Sequence, residues 1–247
     1  MNEGEPRNAV RWAAVIGGIL IAAAIIALYA PWVRIFDLRK IVVIGNYYTP
    51  VAQIKDRCGI KDGANLLRAP IKRGRISLLQ LPWIMEASLR RILPHTLEIT
   101  VYERDPIALV VDPTDSSRTM VLGEDGVIVG YAKDASSQFV RASGVSLRSV
   151  SSGKVVVDAE VIRALNYMHL RGLGSDLFPR IDFSDSNIIT MYTVDEGEIV
   201  LGPLSVVEER IDELKALLET IDLADYQTID LRFGGEARLV PRKVVNP

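Results

Sequence analysis

Two histidines, His95 and His169, and one cysteine, Cys58, are the residues of this 247-residue chain best suited to metal or nucleophilic chemistry. His95 follows Leu93-Pro94 in a turn pattern with no HExxH or HxH neighbour, and reads as a surface loop histidine. His169 falls near the end of a predicted helix, where an imidazolium complements the helix dipole. A single cysteine builds neither an internal disulfide framework nor a multi-cysteine zinc site. The acidic pairs Asp182/Asp185 and Asp222/Asp225 lack the glycine spacing of a calcium loop and read as solvated turns, and Asp195-Glu196-Gly197-Glu198 reads as an acidic β turn. There is no GxSxG, Walker loop or GxGxxG. The pattern points away from an enzyme, and no catalytic residue, cofactor or metal is expected.

Composition bounds what else the chain does. Hydrophobic residues make up 49% and charged residues 24%, with 29 basic against 31 acidic side chains. A formal charge of −2 argues against a nucleic-acid partner, which selects for a basic surplus. Mean hydropathy is +0.19, and the excess has a clear source near the N-terminus.

No charged residue occurs in residues 12–33. The stretch 13–30 would extend about 27 Å as a helix, close to a hydrocarbon core. Its isoleucines, leucines and valine favour insertion by roughly 2 to 5 kcal/mol. Trp12, Tyr29 and Trp32 stand at its ends, where aromatic belts form. The run is longer than a signal-peptide core, and Tyr29 occupies a position where cleavage requires a small residue. The expectation is an uncleaved transmembrane helix over 12–33, with residues 1–11 as a cytoplasmic tail and everything after the anchor extracytoplasmic. Charges flanking the span do not fix that orientation; translocation of the long following domains does. Gly18/Ala22 and Ala23/Ala27 are small pairs spaced for close helix packing, although alanine is abundant here.

Behind the anchor the pattern is α+β. Residues 38–44 form a β-branched run closed by Gly45-Asn46, and Thr49-Pro50 reads as a helix start with threonine as N-cap. A second helix is expected from Pro70 to about Leu81, where Pro82 ends it and Trp83 packs. Strands are predicted over 84–92 and 97–103; in the second, Leu97, Ile99 and Val101 alternate with polar neighbours. Further strands are predicted near 107–111, 120–122, 127–129, 180–183, 188–194 and 198–201. A helix at 158–170 starts at an Asp N-cap. Another begins at Ser205, where Ser205 and Glu208 have capping-box spacing and Val207, Ile211, Leu214, Leu218 and Ile221 form one stripe. Two final strands, 227–233 and 236–240, flank Gly234-Gly235, which suits a two-residue hairpin turn.

Several of these segments resemble one family. The strand ending Ile44-Gly45-Asn46, the Gly63-x-Asn65-Leu66 stretch, Leu81-Pro82-Trp83, Arg90, Pro94-x-Thr96-Leu97 and Glu103-Arg104-x-Pro106-Ile107-Ala108 are similar to the POTRA domain of the FtsQ/DivIB family of bacterial cell-division proteins. Gly126-x-Ile128, residues 199–202 and Ile229-Asp230-Leu231-Arg232-Phe233 resemble that family's second domain and its terminal DLR motif. The resemblance implies a POTRA domain (β-α-α-β-β) over 34–105. A mostly antiparallel β domain with two or more packed helices would follow over 106–247.

It also implies a non-enzymatic, single-pass scaffold in the inner membrane, concentrated at the division septum. FtsB and FtsL would dock at the C-terminal edge, and other division proteins through the POTRA domain. The implied docking residues are Arg232, Phe233, Gly235, Glu236, Ala237, Arg238, Leu239 and Val240, with Phe233 standing where the family commonly has tyrosine. A second surface falls around Leu89, Arg90 and Arg91. From the residues themselves, a terminal strand at a sheet edge is either guarded by charge or recruits a partner strand. The alternative class is a POTRA-containing chaperone or accessory factor of outer-membrane protein assembly or secretion. A third is an exported enzyme with an unrecognised site.

Overall fold

The computed structural model describes residues 5–29, 31–132, 138–150 and 154–242, with side chains omitted for 5–11, 26–29 and 31–33. The chain divides into two compact units, Met1–Glu103 and Arg104–Pro247.

The first unit opens with α1, Glu5–Tyr29, followed by a 3-10 turn, Pro31–Phe36. The described side chains of α1 include the exposed Ile16, Ile19, Leu20 and Ile21. Residues 12–25 are about 21 Å of helix, and among the described residues no helix is long and apolar enough to cross a membrane. The side chains of Ala27, Tyr29 and Trp32, invoked above for helix packing and an aromatic belt, lie outside the described residues, as do residues 1–4 of the expected tail.

The chain then forms β1 (Lys40–Ile44), α2 (Val51–Cys58), α3 (Ile71–Leu78), β2 (Ile84–Ile92) and β3 (Thr96–Glu103). The sheet order is β1-β3-β2, with β1 parallel and β2 antiparallel to β3. The alternation in β3 works as expected: Leu97, Ile99 and Val101 are buried against Ile54, Cys58 and Leu78 of the two helices. Burial raises the pKa of the Cys58 thiol, more than its contact with the Ile60 backbone lowers it.

The turn after β1 is locked in two ways. Gly45 has φ +84°, and a Cβ there would stand 2.2 Å from the Val101 carbonyl oxygen. The Glu103 carboxylate, at the end of β3, accepts from the backbone N–H groups of Tyr47, Tyr48 and Thr49 at 2.7, 2.6 and 2.8 Å. Burial works to raise the Glu103 pKa, but the donors of Thr49, Tyr48 and Tyr47 outweigh it and leave it below the ordinary value. This corrects the expected helix start. Thr49 serves the Glu103 carboxylate through its backbone, Pro50 takes the N-cap position of α2, and no side chain caps that helix. Likewise Pro70 precedes α3, which ends at Leu78. Trp83 packs as expected, stacked on Tyr48 with centroids 4.3 Å apart.

The second unit contains β4 (Pro106–Asp112), β5 (Asp115–Gly123), β6 (Ile128–Tyr131), β7 (Val140–Ser143), β8 (Leu147–Ser149) and β9 (Val155–Val157). Then come α4 (Ala159–Leu170), β10 (Arg180–Asp182), β11 (Ile189–Tyr192), β12 (Glu198–Gly202), α5 (Val207–Leu218), β13 (Tyr226–Asp230) and β14 (Arg238–Pro241). Nine strands form one mixed sheet in the order β14-β13-β12-β11-β10-β7-β4-β5-β6, while β8 and β9 pair separately. Five of its adjacent pairs are antiparallel; β4–β7, β7–β10 and β12–β13 are parallel. A parallel pair needs a crossover, and α5 supplies it between β12 and β13.

Both helices cover one face of this sheet. Val161, Leu165 and Met168 of α4 and Val207, Ile211 and Leu214 of α5 share a core with Val110, Ala142, Ile181, Met191, Ile199 and Ile229. The helices are tied to each other by ion pairs, Arg163–Glu208 at 2.7 Å and Arg171–Asp212 at 2.8 Å.

Asp158 caps α4 as expected, accepting from the Glu160 N–H. The Ser205/Glu208 capping box does not form. Pro203 opens a 3-10 turn, Leu204–Val206, so α5 starts at Val207 without a side-chain cap, and Glu208 turns to Arg163. The final hairpin also differs. The strands end at Asp230 and resume at Arg238, so residues 231–237 form a longer loop rather than a two-residue turn at Gly234-Gly235.

Candidate partner-binding edge

Strand β14 lies at the margin of the nine-stranded sheet, and among the described residues it has one neighbour, β13. The antiparallel register pairs Asp230 with Arg238, Ile229 with Leu239 and Thr228 with Val240. Leu239 is half-buried against the helix-covered core, while Val240 is exposed. The Arg242 N–H donates inward to the Asp225 carbonyl at 2.8 Å. By the alternation of an antiparallel ladder, Val240 and Arg238 then donate inward and Leu239 points its N–H outward. Pro241, the next outward position, has no N–H to offer.

The loop that delivers β14 is built from its own side chains and from α5. Asp230 accepts from the Arg232 backbone N–H at 3.1 Å and from its guanidinium at 2.9 and 2.6 Å. That local pairing turns the chain out of β13 and explains why the strand stops before Arg232. Gly234 adopts φ +58° over the Arg210 guanidinium, which would lie 2.8 Å from an added Cβ. The Gly235 N–H donates to Glu213, which is ion-paired to Arg210. Arg210 and Glu213 thus hold the loop from α5, a role their spacing along a helix does not announce. Phe233 is held out at 69% exposure, with the Arg232 guanidinium 5.6 Å from its ring.

Of the residues expected at this edge, Arg238, Leu239 and Val240 lie in β14, whereas Arg232, Phe233, Gly235, Glu236 and Ala237 belong to the loop before it. The trio Leu89, Arg90 and Arg91 sits on β2, also a margin strand of its sheet. Its members do not share a face. Leu89 packs on the core, Arg90 lies across from Glu98, and Arg91 donates to the Leu66 and Ala69 carbonyls at 2.6 and 2.8 Å.

The Asp230 carboxyl is held below the usual carboxylate range, first by the Arg232 side chain and then by its backbone N–H and charge, against a smaller opposing effect of burial. Because the folded pKa is depressed, the stabilisation is complete above the unfolded value of about 3.9. It is lost only as pH falls through the lower folded value. Protection of the Arg232 amide, which donates to Asp230, is expected to hold down to about pH 4 and to fall below it as the carboxylate protonates. In Asp230→Asn that acid-dependent step should disappear.

Among the described residues no group of histidine, cysteine or acidic side chains is placed to hold a metal. The arrangement offers an open strand margin and an exposed aromatic ring. The family described as "POTRA domain, FtsQ-type" matches residues 36–104. The cell division protein FtsQ of Corynebacterium glutamicum is 28% identical over 118 residues, 48% of this chain and 53% of that protein. DivIB of Clostridium acetobutylicum is 21% identical over 204 residues, 81% of each chain. Residues 36–104 thus match an FtsQ-type POTRA domain, and the chain is similar to the cell division proteins FtsQ and DivIB. Its match spans about half the length of the Corynebacterium FtsQ and most of the clostridial DivIB, reaching well beyond the POTRA unit.

Proposed function

We propose that this FtsQ/DivIB chain is a non-enzymatic scaffold of the bacterial division machinery, anchored by residues 12–33 in the inner membrane. Its tail faces the cytoplasm, and its two folded units lie outside at the septum. The C-terminal edge takes up a strand from the FtsB–FtsL complex, and the POTRA unit offers a surface to further division proteins. The family supports the division role. The observation that carries the docking mode is β14, which among the described residues is a margin strand with one neighbour, so that ladder alternation leaves the Leu239 N–H outward. Backbone pairing would supply affinity, and Phe233 would supply an aromatic anchor of the kind enriched among interface hot spots.

The test is capture of FtsB–FtsL by the full chain in detergent. Leu239→Pro removes the outward donor, worth about 0.5–1.5 kcal/mol, and obstructs the flanking bonds, so roughly tenfold or greater loss is expected. Since Leu239 also contacts the core, Phe233→Ala provides a variant whose altered side chain is mostly in solvent. It should weaken capture several-fold with an unchanged melting temperature. Undiminished capture by both variants would rule out strand addition here.

A further inference from the structure

The face of the nine-stranded sheet that the helices leave uncovered carries a charged cleft that the docking edge does not use. The printed registers connect one row of residues across the strands: Leu109 with Arg141, Arg141 with Arg180, Arg180 with Tyr192, and Tyr192 with Glu198. These residues line a cleft of about 800 Å³, together with Phe139, Val194 and Glu196 among others. Arg141 and Arg180 sit side by side on β7 and β10, and like charges at opposed positions destabilise a sheet. Among the described residues neither arginine has an ion-pair partner. The Arg180 guanidinium lies 3.8 Å over the Tyr192 ring. Asp182, two residues along β10, feels the charge of Arg180 but gives its carboxylate to Ser184 and Ser143.

The opposite wall is acidic. Glu198 lies across Tyr192 from Arg180, about two strand spacings or 10 Å away, and Glu196 rises from the adjoining turn. Glu196 is the one non-glycine residue with positive φ among the described residues, at +62°. Its turn is clamped by the Thr193 hydroxyl, which accepts from the Gly197 N–H at 2.8 Å, and by the Thr193 carbonyl, which accepts from the Glu196 N–H at 3.0 Å. Glycine or asparagine would occupy that left-handed position with less strain. A glutamate is held there instead, and its side chain lines the cleft.

We infer that this cleft binds a peptide segment of another protein that carries an acidic and a basic side chain about 10 Å apart. The acid would pair with Arg141 and Arg180, the base with Glu196 and Glu198, and an apolar residue between them would lie on Tyr192. In a polyproline II segment, with three residues per turn and a rise of about 3.1 Å each, residues three apart share a face at that spacing, as in acid-x-x-base. A polyanion such as nucleic acid would meet the glutamates and be repelled. The geometry thus selects a dipolar ligand over a phosphate. This site stands apart from strand addition at β14.

The test uses the full chain in detergent and the labelled octapeptide Gly-Ser-Glu-Leu-Ala-Lys-Ser-Gly as probe, followed by chemical-shift perturbation. Saturable shifts at the Arg141 and Arg180 side chains and at Tyr192 are expected. Affinity should fall at least tenfold in the Arg141→Gln/Arg180→Gln double variant and severalfold for a probe with lysine replaced by glutamate. Phe233→Ala, altered in a solvent-exposed side chain of the docking edge, should leave binding unchanged, which separates this site from that edge. The proposal is overturned by absence of saturable shifts, by equal affinity in the double variant, or by equal binding of the all-acidic probe. It is also overturned if the arginine pair instead governs self-association, seen as a change of mass in light scattering.

Discussion

Truncating Phe178 to alanine is expected to destabilise the second unit by about 3–5 kcal/mol. Phe178 is fully buried in the larger core and lies outside regular secondary structure. Its N–H is held by the Gly174 carbonyl at 2.9 Å, so the backbone that carries the ring is already committed. The lost ring would leave a void in the core that Phe178 shares with Ile181 of β10 and Met168 of α4. Denaturant unfolding followed by tryptophan fluorescence would miss this, because all three tryptophans lie in the first unit. Hydrogen exchange resolved by residue would see it, as a loss of protection across β10 and α4 with β1–β3 unchanged. A loss below about 1 kcal/mol would mean the site collapses around the deletion and does not act as a fixed core position.

The Gly45→Val exchange should be nearly as damaging to the first unit. A Cβ at this position falls 2.2 Å from the Val101 carbonyl oxygen, which is backbone and cannot swing aside. The residue also sits at φ +84°, where a β-branched side chain is disfavoured. Overpacking of about 1–3 kcal/mol adds to strain of about 1–2 kcal/mol, for a total near 3 kcal/mol. Because Gly45 precedes the backbone donors that meet Glu103, the shift would also pull Tyr47, Tyr48 and Thr49 off the carboxylate. Exchange at those three amides is therefore expected to rise before the unit melts as a whole. If Gly45→Val keeps both melting temperature and amide protection, the β1 turn has more slack than its geometry indicates.

The parts of the fold that could be read in the sequence are those decided by near neighbours. Leu97, Ile99 and Val101 announce β3 by alternation, and Asp158 announces the start of α4 by its own hydrogen bond. Features that depend on distant partners were not legible. Strand β7, four residues with an arginine in the second position, gains its identity from parallel neighbours β4 and β10. Phe178 gives no periodic signal because it sits in a connection. The Ser205/Glu208 spacing was misleading for a similar reason: Arg163, from another helix, competes for the glutamate.

At the candidate edge the two terminal strands are legible in the sequence but the loop between them is not. The glycine pair suggested a tight turn, whereas Asp230 captures Arg232 and ends the strand early. The anchoring of that loop by Arg210 and Glu213 was invisible, since both look like ordinary surface charges on an amphipathic helix. The same applies to Arg141 and Arg180, which lie far apart along the chain and become neighbours only through the parallel pairing of β7 and β10.

The way the last strand is attached has a genetic consequence. Ile229 and Leu231 are already buried with β12 and α5 before β14 begins, and β14 adds only the partly covered Leu239 to that interior. A stop codon just after Arg232 would therefore spare most of what holds the unit together while removing β14 and leaving β13 as the outer strand. Under the proposed docking mode, alleles truncated there should behave as separation-of-function lesions, yielding a product that accumulates normally yet lacks the docking strand.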